Sequence, residues 1–213
     1  GGSGSKGSSG DPSPFTALGV FQGIKASLAF KKQKESLQGL RMSIQGCGAV
    51  GEKLSRLLHN EGVQLILSDI NSLKAETLAK ELNAECCDPS EIHKVPVDVF
   101  SPCALGGALN QKSISELQTD IVAGAANNQL LNDKEDGKEL QRRNILYAPD
   151  YVINAGGLIN VYHELKGYNK EKATNDTMNI FNTLLQIFET SKEKNIPTDH
   201  ASNILAEMKL KKK

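Results

Sequence analysis

The stretch GCGAVG (46–51) decides the fold, because it places three glycines between a short strand-like segment and an amphipathic one. The preceding RMSIQ (41–45) predicts a β-strand, and the following AVGEKLSRLLHNEG (49–62) predicts a helix that ends at its last glycine. The next segment, VQLILSD (63–69), is mostly apolar, as is typical of a strand buried on both faces of a parallel sheet. The sequence therefore predicts a strand–turn–helix–strand unit with a GxGxxG turn.

The three glycines of this turn have separate roles in a dinucleotide-binding site. Gly46 allows a tight turn, Gly48 lets the backbone approach a pyrophosphate, and Gly51 lets the helix pack on the strand. Because the start of a helix attracts negative charge, we expect the pyrophosphate against the whole turn. Its residues are Gly46, Cys47, Gly48, Ala49, Val50 and Gly51. Cys47 is expected to be a small filler rather than a reactive thiol, and a glycine-rich turn without a ligand is the alternative.

An acidic residue follows the turn at the spacing that a dinucleotide site needs. Asp69 lies 69 − 46 = 23 positions after the first glycine, at the end of the second predicted strand. Its carboxylate would accept hydrogen bonds from the adenosine ribose, and Ile70 belongs to the same expected contact set. Neither Ile70 nor Asn71 is an arginine that could neutralise a 2′-phosphate. The sequence therefore favours NAD over NADP as the cofactor.

Strand-like and helix-like segments alternate further along the chain, and the C-terminal part is helical throughout. Further helices are predicted at 13–32, 71–82, 134–144, 151–165, 172–195 and 198–209, and further strands at 97–103, 120–128 and 145–150. Ser13 would cap the first helix, with Pro14 at the first helical position. This order predicts an α/β fold, a Rossmann-type doubly wound parallel sheet with flanking helices and a helical C-terminal extension.

The composition of the chain narrows the classes of function. Lysine plus arginine equal aspartate plus glutamate at 25 each, which argues against a nucleic acid or a membrane surface as the main partner. No apolar run approaches the roughly 20 residues of a membrane span. The four cysteines form no CxxC pair, so we expect free thiols in a reducing, cytoplasmic setting. The four histidines are scattered, and no metal site is expected.

The N-terminus has the composition of a linker. Residues 1–13 are rich in glycine and serine, and we interpret them as a flexible linker or hinge whose leading GGSG is an artificial addition or native sequence. Residues 14–213 are expected to form one NAD-binding domain that includes the first helix, as a hinge helix, and the C-terminal helices.

Four further motifs resemble the glutamate/leucine/phenylalanine/valine dehydrogenase family, and leucine dehydrogenases most of all. They are GDPSPFTALGV (10–20), FSPCALGGALN (100–110), VAGAANNQL (122–130) and YAPDYVINAGGLINV (147–161). The resemblance runs from about residue 8 to near the C-terminus. It implies reversible, NAD-dependent oxidative deamination of L-leucine and other branched-chain amino acids to 2-oxo acids and ammonia. Valine or phenylalanine dehydrogenase is the alternative within the family.

The resemblance also implies roles for residues outside the glycine turn. Thr16 would hydrogen-bond the nicotinamide carboxamide, and Asn154 would reach the nicotinamide end. Five residues at the ends of two successive predicted strands would complete the cofactor site: Cys103, Ala104, Ala125, Ala126 and Asn127. The alternatives are local hydrogen bonds for Thr16 and the asparagines, and a buried apolar role for Cys103.

The same resemblance implies a substrate site beside the nicotinamide. Asn128 would touch the amino acid, and Leu158 and Val161, three apart on one helix face, would line the pocket for an aliphatic side chain. Core packing is the alternative for these two apolar residues.

In this family the general base and the cation for the substrate carboxylate are lysines of an N-terminal domain, which is absent from this sequence. We therefore expect no catalytic residue in this chain. It would be the cofactor-binding half of a longer homo-oligomeric enzyme, a truncated NAD-binding module without catalysis, or one half of a complex.

Overall fold

A computed structural model describes residues 10–210. The greater part of the linker expected at 1–13 lies outside the described residues, as do residues 211–213. The described residues form one parallel sheet of six strands in the order β3-β2-β1-β4-β5-β6. The strands are β1 (Arg41–Gln45), β2 (Gln64–Ser68), β3 (Glu85–Cys86), β4 (Val97–Pro102), β5 (Thr119–Val122) and β6 (Leu146–Tyr147).

The strand order confirms the prediction of a Rossmann-type doubly wound sheet. From β1 the chain moves outward to β3, then returns to add β4, β5 and β6 on the other side of β1. Helices flank the sheet and continue beyond it. They are α1 (Ser13–Lys32), α2 (Ala49–Asn60), α3 (Ser72–Leu82), α4 (Gln111–Glu116), α5 (Asp136–Arg142), α6 (Asp150–Ile153), α7 (Gly156–Leu165), α8 (Lys170–Met178), α9 (Ile180–Lys194) and α10 (Thr198–Leu210).

Both faces of the sheet are covered by apolar side chains, as the composition of β2 predicts. Leu65 and Leu67 belong to a large cluster under α1, α2, α3 and α9, whereas Ile66 between them belongs to a smaller cluster under α4 and α5. This alternation follows from the two-residue period of a β-strand. Because all six strands are parallel, their carboxyl ends lie at one edge of the sheet, between two layers of helices.

The first helix begins differently from its prediction. Ser13 is the first residue of α1 and Pro12 occupies the cap position, so the predicted Ser13 cap is wrong. The carboxylate of Asp11 performs the capping function instead, since it accepts hydrogen bonds from the Ser13 amide at 2.9 Å and the Ser13 hydroxyl at 2.6 Å. The Ser13 hydroxyl is thus a donor to an acid two residues earlier, which the helical pattern alone does not indicate.

Two segments predicted as single helices are each divided in the structure. The segment 151–165 breaks between Asn154 and Gly156, where a side chain on Gly156 would collide with the carbonyl group of Phe15 in α1. The segment 172–195 divides at Asn179, which ends α8 and begins α9. The structure also contains β3 and α4, which were not predicted. No helix among the described residues is both long enough and apolar enough to cross a membrane.

The end of α1 is joined to the sheet by an ion pair. Lys32 Nζ lies 2.6 Å from Asp98 Oδ1 of β4 and 2.9 Å from Asp120 Oδ2 of β5. Burial disfavours the charged form of Asp98, but hydrogen bonds from Lys32 and the Arg41 amide outweigh it, so the pKa of this carboxyl is lowered. The pair is only partly exposed, and its loss leaves two carboxylates facing each other.

We expect Lys32→Met to lower the free energy of unfolding by about 1–2 kcal/mol at neutral pH. Because the pKa of Asp98 is lowered by folding, its contribution is complete above the unfolded value of about 4 and is lost as the pH falls further. The difference between wild type and variant should therefore shrink below about pH 4. Urea denaturation across pH measures it, and Lys138→Met, in an exposed pair, is the control. A difference that grows on acidification would contradict the assignment.

Candidate functional site

The glycine turn follows β1, the strand at which the strand order reverses, since β2 and β3 lie on one side of it and β4, β5 and β6 on the other. In the register of β1 and β4, Gln45 is opposite Pro102, so Gly46 and Cys103 leave the sheet side by side. Gly46 has a φ of +105°, and a Cβ there would lie 2.9 Å from both the Cβ and the amide nitrogen of Ala104. A crevice outside the carboxyl ends at such a switch point is where open α/β sheets bind ligands.

The other two glycines have opposite surroundings. A Cβ on Gly48 would meet nothing within 4 Å, whereas a Cβ on Gly51 would collide with the carbonyl oxygen of Gly46. Gly51 therefore permits the close packing of α2 on the turn. Gly48 is not required for packing, so its backbone is open on the side where an anion can approach the first turn of α2. The amides of that first turn have no partner within the helix.

Asp69 is joined to the turn by its carboxylate. Oδ2 accepts a hydrogen bond from the Cys47 amide at 2.7 Å, and Oδ1 accepts one from the Asn71 amide at 2.9 Å. A carboxylate has about four acceptor sites, so capacity remains for two ribose hydroxyls. The Cys47 amide, however, already donates to Asp69, so it is the amide of the turn that is least available to a pyrophosphate. The structure thus gives Asp69 a second role, which is to fix the turn.

The surroundings of the two thiols near the turn, Cys47 and Cys103, disfavour their thiolate forms. Burial and the charge of Asp69 raise the pKa of Cys47 to about 12, which agrees with its expected role as a filler. Burial likewise raises the pKa of Cys103, whose Sγ lies 3.4 Å from the Ser101 hydroxyl. Ala104 is exposed beside Cys103. A thiolate nucleophile is therefore disfavoured at both positions.

Two large aliphatic side chains stand fully open at this edge. Ile70, which follows Asp69, is 97% exposed, and Leu105, on the turn after β4, is 84% exposed. Ile70 was predicted as a contact and Leu105 was not. The signal in the sequence is that Leu105 follows the same strand end as Cys103 and Ala104. Apolar groups in such positions can cover a planar base.

A cleft of about 660 Å³ adjoins the turn and collects most of the other predicted residues. It is lined by Pro12, Thr16, Val50, Ala125, Asn127, Asn128, Asp150, Tyr151, Asn154, Ala155, Gly157, Leu158 and Val161. Cys103 and Ala104 lie outside this lining. Ala126 also lies outside it, because its side chain is buried beneath the loop after β5. Residues from α1, α2, α6, α7 and the loop after β5 thus converge on one volume.

Thr16 makes the local hydrogen bond, and its contact with the nicotinamide stays a prediction. Its hydroxyl donates to the carbonyl of Pro12 at 3.3 Å, so the local hydrogen bond exists. The oxygen still has acceptor capacity on the cleft side. A Cβ on Gly157 would lie 2.6 Å from this oxygen, which shows how closely α7 approaches it.

The asparagines connect loops rather than cap helices. Asn154 Nδ2 donates to Asn127 Oδ1 at 2.7 Å and, more weakly, to the carbonyl of Ala125 at 3.4 Å. This bond joins the loop after β5 to the turn between α6 and α7. Asn128 has a φ of +52° and its side chain is exposed in the cleft. Local capping is therefore not the role of Asn154.

Leu158 and Val161 both line the cleft, which is the position that the family resemblance implies for them. Leu158 is 74% exposed and Val161 is 40% exposed, so the core-packing alternative is wrong for Leu158. Apolar side chains left open in a cleft are typical of a binding surface for another apolar group.

Gln129 and Asp150 hold the cleft loops in shape, and neither was predicted. Gln129 is fully buried, and its Nε2 donates to the carbonyls of Gly124 and Ala126 at 2.9 Å each. Its backbone amide donates to Asp150 Oδ2 at 2.9 Å. The sequence signal was a polar residue directly after the two cleft asparagines.

We expect Gln129→Met to reduce NADH affinity about 5- to 10-fold while ADP-ribose affinity is unchanged, since only the nicotinamide end of the site loses its support. Isothermal titration of both ligands measures this. Gln118→Met is the control, because Gln118 also donates to a backbone carbonyl, that of Lys94, but outside the cleft. Equal loss for both ligands would indicate general unfolding instead of local positioning.

Two histidines have acidic partners that the sequence did not reveal. His93 Nε2 lies 2.7 Å from Glu116 Oε2, and His163 Nε2 lies 2.7 Å from Asp176 Oδ2. The partners are 23 and 13 positions apart, and none of the four lines the cleft. We interpret both pairs as ties between neighbouring elements.

The chain is similar in sequence to known amino-acid dehydrogenases. The sequence model described as Glutamate/Leucine/Phenylalanine/Valine dehydrogenase matches residues 67–213. An L-tryptophan dehydrogenase of Nostoc punctiforme is 50% identical over 199 residues, which are 93% of this chain and 56% of that protein. A leucine dehydrogenase of Thermoactinomyces intermedius is 45% identical over 204 residues, or 96% of this chain and 56% of that protein. Leucine dehydrogenases are thus among the relatives but are not singled out.

Solved structures give the same result. The crystal structure of L-tryptophan dehydrogenase from Nostoc punctiforme superimposes with a TM-score of 0.94 at 49% identity, covering 96% of this chain and 62% of that chain. A glutamate dehydrogenase from Thermus thermophilus shares the fold, with a TM-score of 0.73 at 19% identity over 95% of this chain and 53% of that one. This chain spans a little over half the length of the curated relatives named above. It belongs to the glutamate/leucine/phenylalanine/valine dehydrogenase family.

Proposed function

We propose that this chain is the nicotinamide-dinucleotide-binding part of an amino-acid dehydrogenase that converts an L-amino acid to a 2-oxo acid and ammonia. The single observation that carries the proposal is the open backbone at Gly48, in front of the first turn of α2 and beside the Asp69 carboxylate. That arrangement fits a pyrophosphate with a ribose next to it. The family membership of the chain supports the reaction class.

Different residues of the chain would bind different parts of the cofactor. The amides of Gly48, Ala49, Val50 and Gly51 would receive the pyrophosphate, and Asp69 would accept from the adenosine ribose. Thr16 and the pair Asn127–Asn154 would orient the carboxamide of the nicotinamide. The bound dinucleotide supplies a hydride acceptor, and Asn128 would hold the amino acid beside it. Cys103, Ala104 and Ala125 would form the floor between the two ends, with Ala126 supporting it from below.

NAD is the proposed form of the cofactor. The carboxylate of Asp69 would lie next to the ribose 2′-oxygen, where a phosphate would be repelled. Ile70, the next residue, is exposed and uncharged. Comparing the affinities for NADH and NADPH tests this, and equal affinities would contradict it.

The side chain of the substrate is proposed to be apolar, because Leu158 and Val161 are open in the cleft. L-Leucine and other branched-chain amino acids are the first candidates. An aromatic amino acid is the second, favoured by the 50% identity to an L-tryptophan dehydrogenase and by the exposure of Leu158. A longer protein that joins this chain to a catalytic domain of the family, assayed with L-leucine, L-valine, L-phenylalanine and L-tryptophan, would decide between them.

The chain by itself is proposed to bind the cofactor without turnover. None of the residues that line the cleft, within the part of the chain that is described, is a lysine that could act as base or hold a carboxylate. Assembly of the full-length protein into a homo-oligomer and its cytoplasmic location remain predictions.

Two assays test the proposal. We expect the fluorescence of NADH to change on titration with the chain and to saturate, and no binding at millimolar NADH would overturn the cofactor assignment. We expect no reduction of NAD by the chain with L-leucine. Measurable turnover would contradict the assignment of the base to a missing domain.

A further inference from the structure

The cleft has one charged side chain in its described lining. The other side chains that line it are amides, a threonine, a tyrosine and apolar groups, whereas Asp150 is a carboxylate. It begins α6, at the carboxyl end of β6. A carboxylate in a cleft with otherwise neutral walls sets the sign of the local field, and that field attracts positive charge.

The position of this charge is fixed by the backbone. Asp150 Oδ2 accepts from the Gln129 amide at 2.9 Å, and Oδ1 accepts from the Tyr151 amide at 2.6 Å. This charge also affects the pKa values of two neighbouring tyrosines. Burial is the main reason that the pKa values of Tyr147 and Tyr151 are raised, and the negative charge of Asp150 raises both further.

No cationic side chain of residues 10–208 forms an ion pair with this carboxylate. The carboxylate of Asp150 has no lysine, arginine or histidine nitrogen within 4.0 Å among the described residues. Its two amide donors are neutral dipoles, which stabilise an anion without cancelling its charge. The carboxylate has about two acceptor sites left after these two bonds.

The charge also lies on the side of the cleft that the nicotinamide is proposed to use. Asp150 and Asn154 are one helical turn apart, since the Asn154 amide donates to the Asp150 carbonyl at 3.0 Å. Both side chains line the cleft, and Asn154 is paired with Asn127 there. The nicotinamide ring carries a positive charge in NAD and is neutral in NADH.

We infer that Asp150 is the counter-ion of the oxidised nicotinamide ring, and so favours NAD over NADH in this site. The inference rests on the proposed function. The ring loses its positive charge when it accepts a hydride, so the attraction acts on the oxidised form only. A change that affects the whole cleft, such as a small displacement of the loop, would alter the affinities for NAD and for NADH alike.

The ratio of the dissociation constants of NAD and NADH therefore measures the effect of the Asp150 charge separately from other changes in the cleft. We expect Asp150→Asn to weaken NAD binding about 10-fold relative to NADH, which corresponds to about 1.4 kcal/mol. Isothermal titration of the chain with NAD and with NADH gives both constants. Asp133→Asn is the matched control, because Asp133 is exposed outside the cleft and the substitution removes the same charge. Its ratio should equal that of the wild type.

The outcomes separate the inference from the proposed function. A ratio in Asp150→Asn within 2-fold of wild type, with both ligands still bound, would overturn the inference alone. A wild-type chain that binds neither NAD nor NADH would overturn the proposed function, and the inference with it. A shift of the ratio in Asp150→Asn but not in Asp133→Asn would support the inference, even if both affinities of the variant fall.

Discussion

Gly48→Val is expected to abolish NADH binding while the protein remains folded. A valine side chain at this position would meet no protein atom near its Cβ, so the cost to the fold is small. The same space is where the proposed pyrophosphate must approach the amides of α2. An isopropyl group there blocks that approach, and we expect the affinity for NADH to fall by at least about 100-fold, since contacts to both phosphates are lost.

The control for this result is Gly51→Ala, three positions along the same turn. Its smaller side chain would collide with the carbonyl oxygen of Gly46, so the backbone must move and we expect a cost of about 1–3 kcal/mol or more. Thermal denaturation and NADH fluorescence should therefore separate the two variants. Gly48→Val should melt like wild type without binding, and Gly51→Ala should melt early. Normal NADH binding by Gly48→Val would show that the turn is not the pyrophosphate site.

The part of the fold that the sequence could predict is the part set by local rules. The glycine spacing, the alternating segment at 41–45 and the apolar run at 63–69 depend on neighbours within a few positions, and the structure places β1, the turn, α2 and β2 there. The break between α6 and α7 was not predictable in this way. Beside the break, Gly156 lies against the carbonyl of Phe15, which is about 140 positions away and comes into contact only when α1 packs on the C-terminal helices.

The candidate site shows the same division. Motifs placed Ala125, Asn127 and Asn154 at the cleft, but the hydrogen bond between the two asparagines spans 27 positions and has no local signature. Ala125 and Ala126 are indistinguishable as sequence, yet only Ala125 lines the cleft, because Ala126 points below the loop. The Asp150 carboxylate and the Gln129 amide, 21 positions apart, were missed for the same reason. Side-chain direction in a loop is decided by tertiary packing.

Asp69→Asn is expected to weaken NADH and ADP-ribose equally, by about 10- to 100-fold, because a charge-assisted bond to a ribose hydroxyl is worth about 1.5–3 kcal/mol. The asparagine retains one acceptor for the Cys47 or Asn71 amide, so the turn is disturbed less than by alanine. Removal of the negative charge should also narrow the preference for NADH over NADPH. Titration with ADP-ribose, NADH and NADPH measures all three effects.

The matched control is Asp88→Asn. Asp88 accepts a hydrogen bond from the amide two residues later, that of Ser90, at 2.8 Å, as Asp69 does from Asn71 at 2.9 Å. It follows β3, the neighbour of β2, and shares this one contact with Asp69, whereas Asp69 also accepts from the Cys47 amide. If the bond to the amide two positions later were the only role of Asp69, both variants would keep their affinity for ADP-ribose. Loss in Asp69→Asn alone would assign the effect to the contacts beside the glycine turn, which are the Cys47 amide and the proposed ribose. A narrowed preference for NADH over NADPH in the same variant would then assign the carboxylate to the ribose, because a displaced turn would weaken both dinucleotides alike.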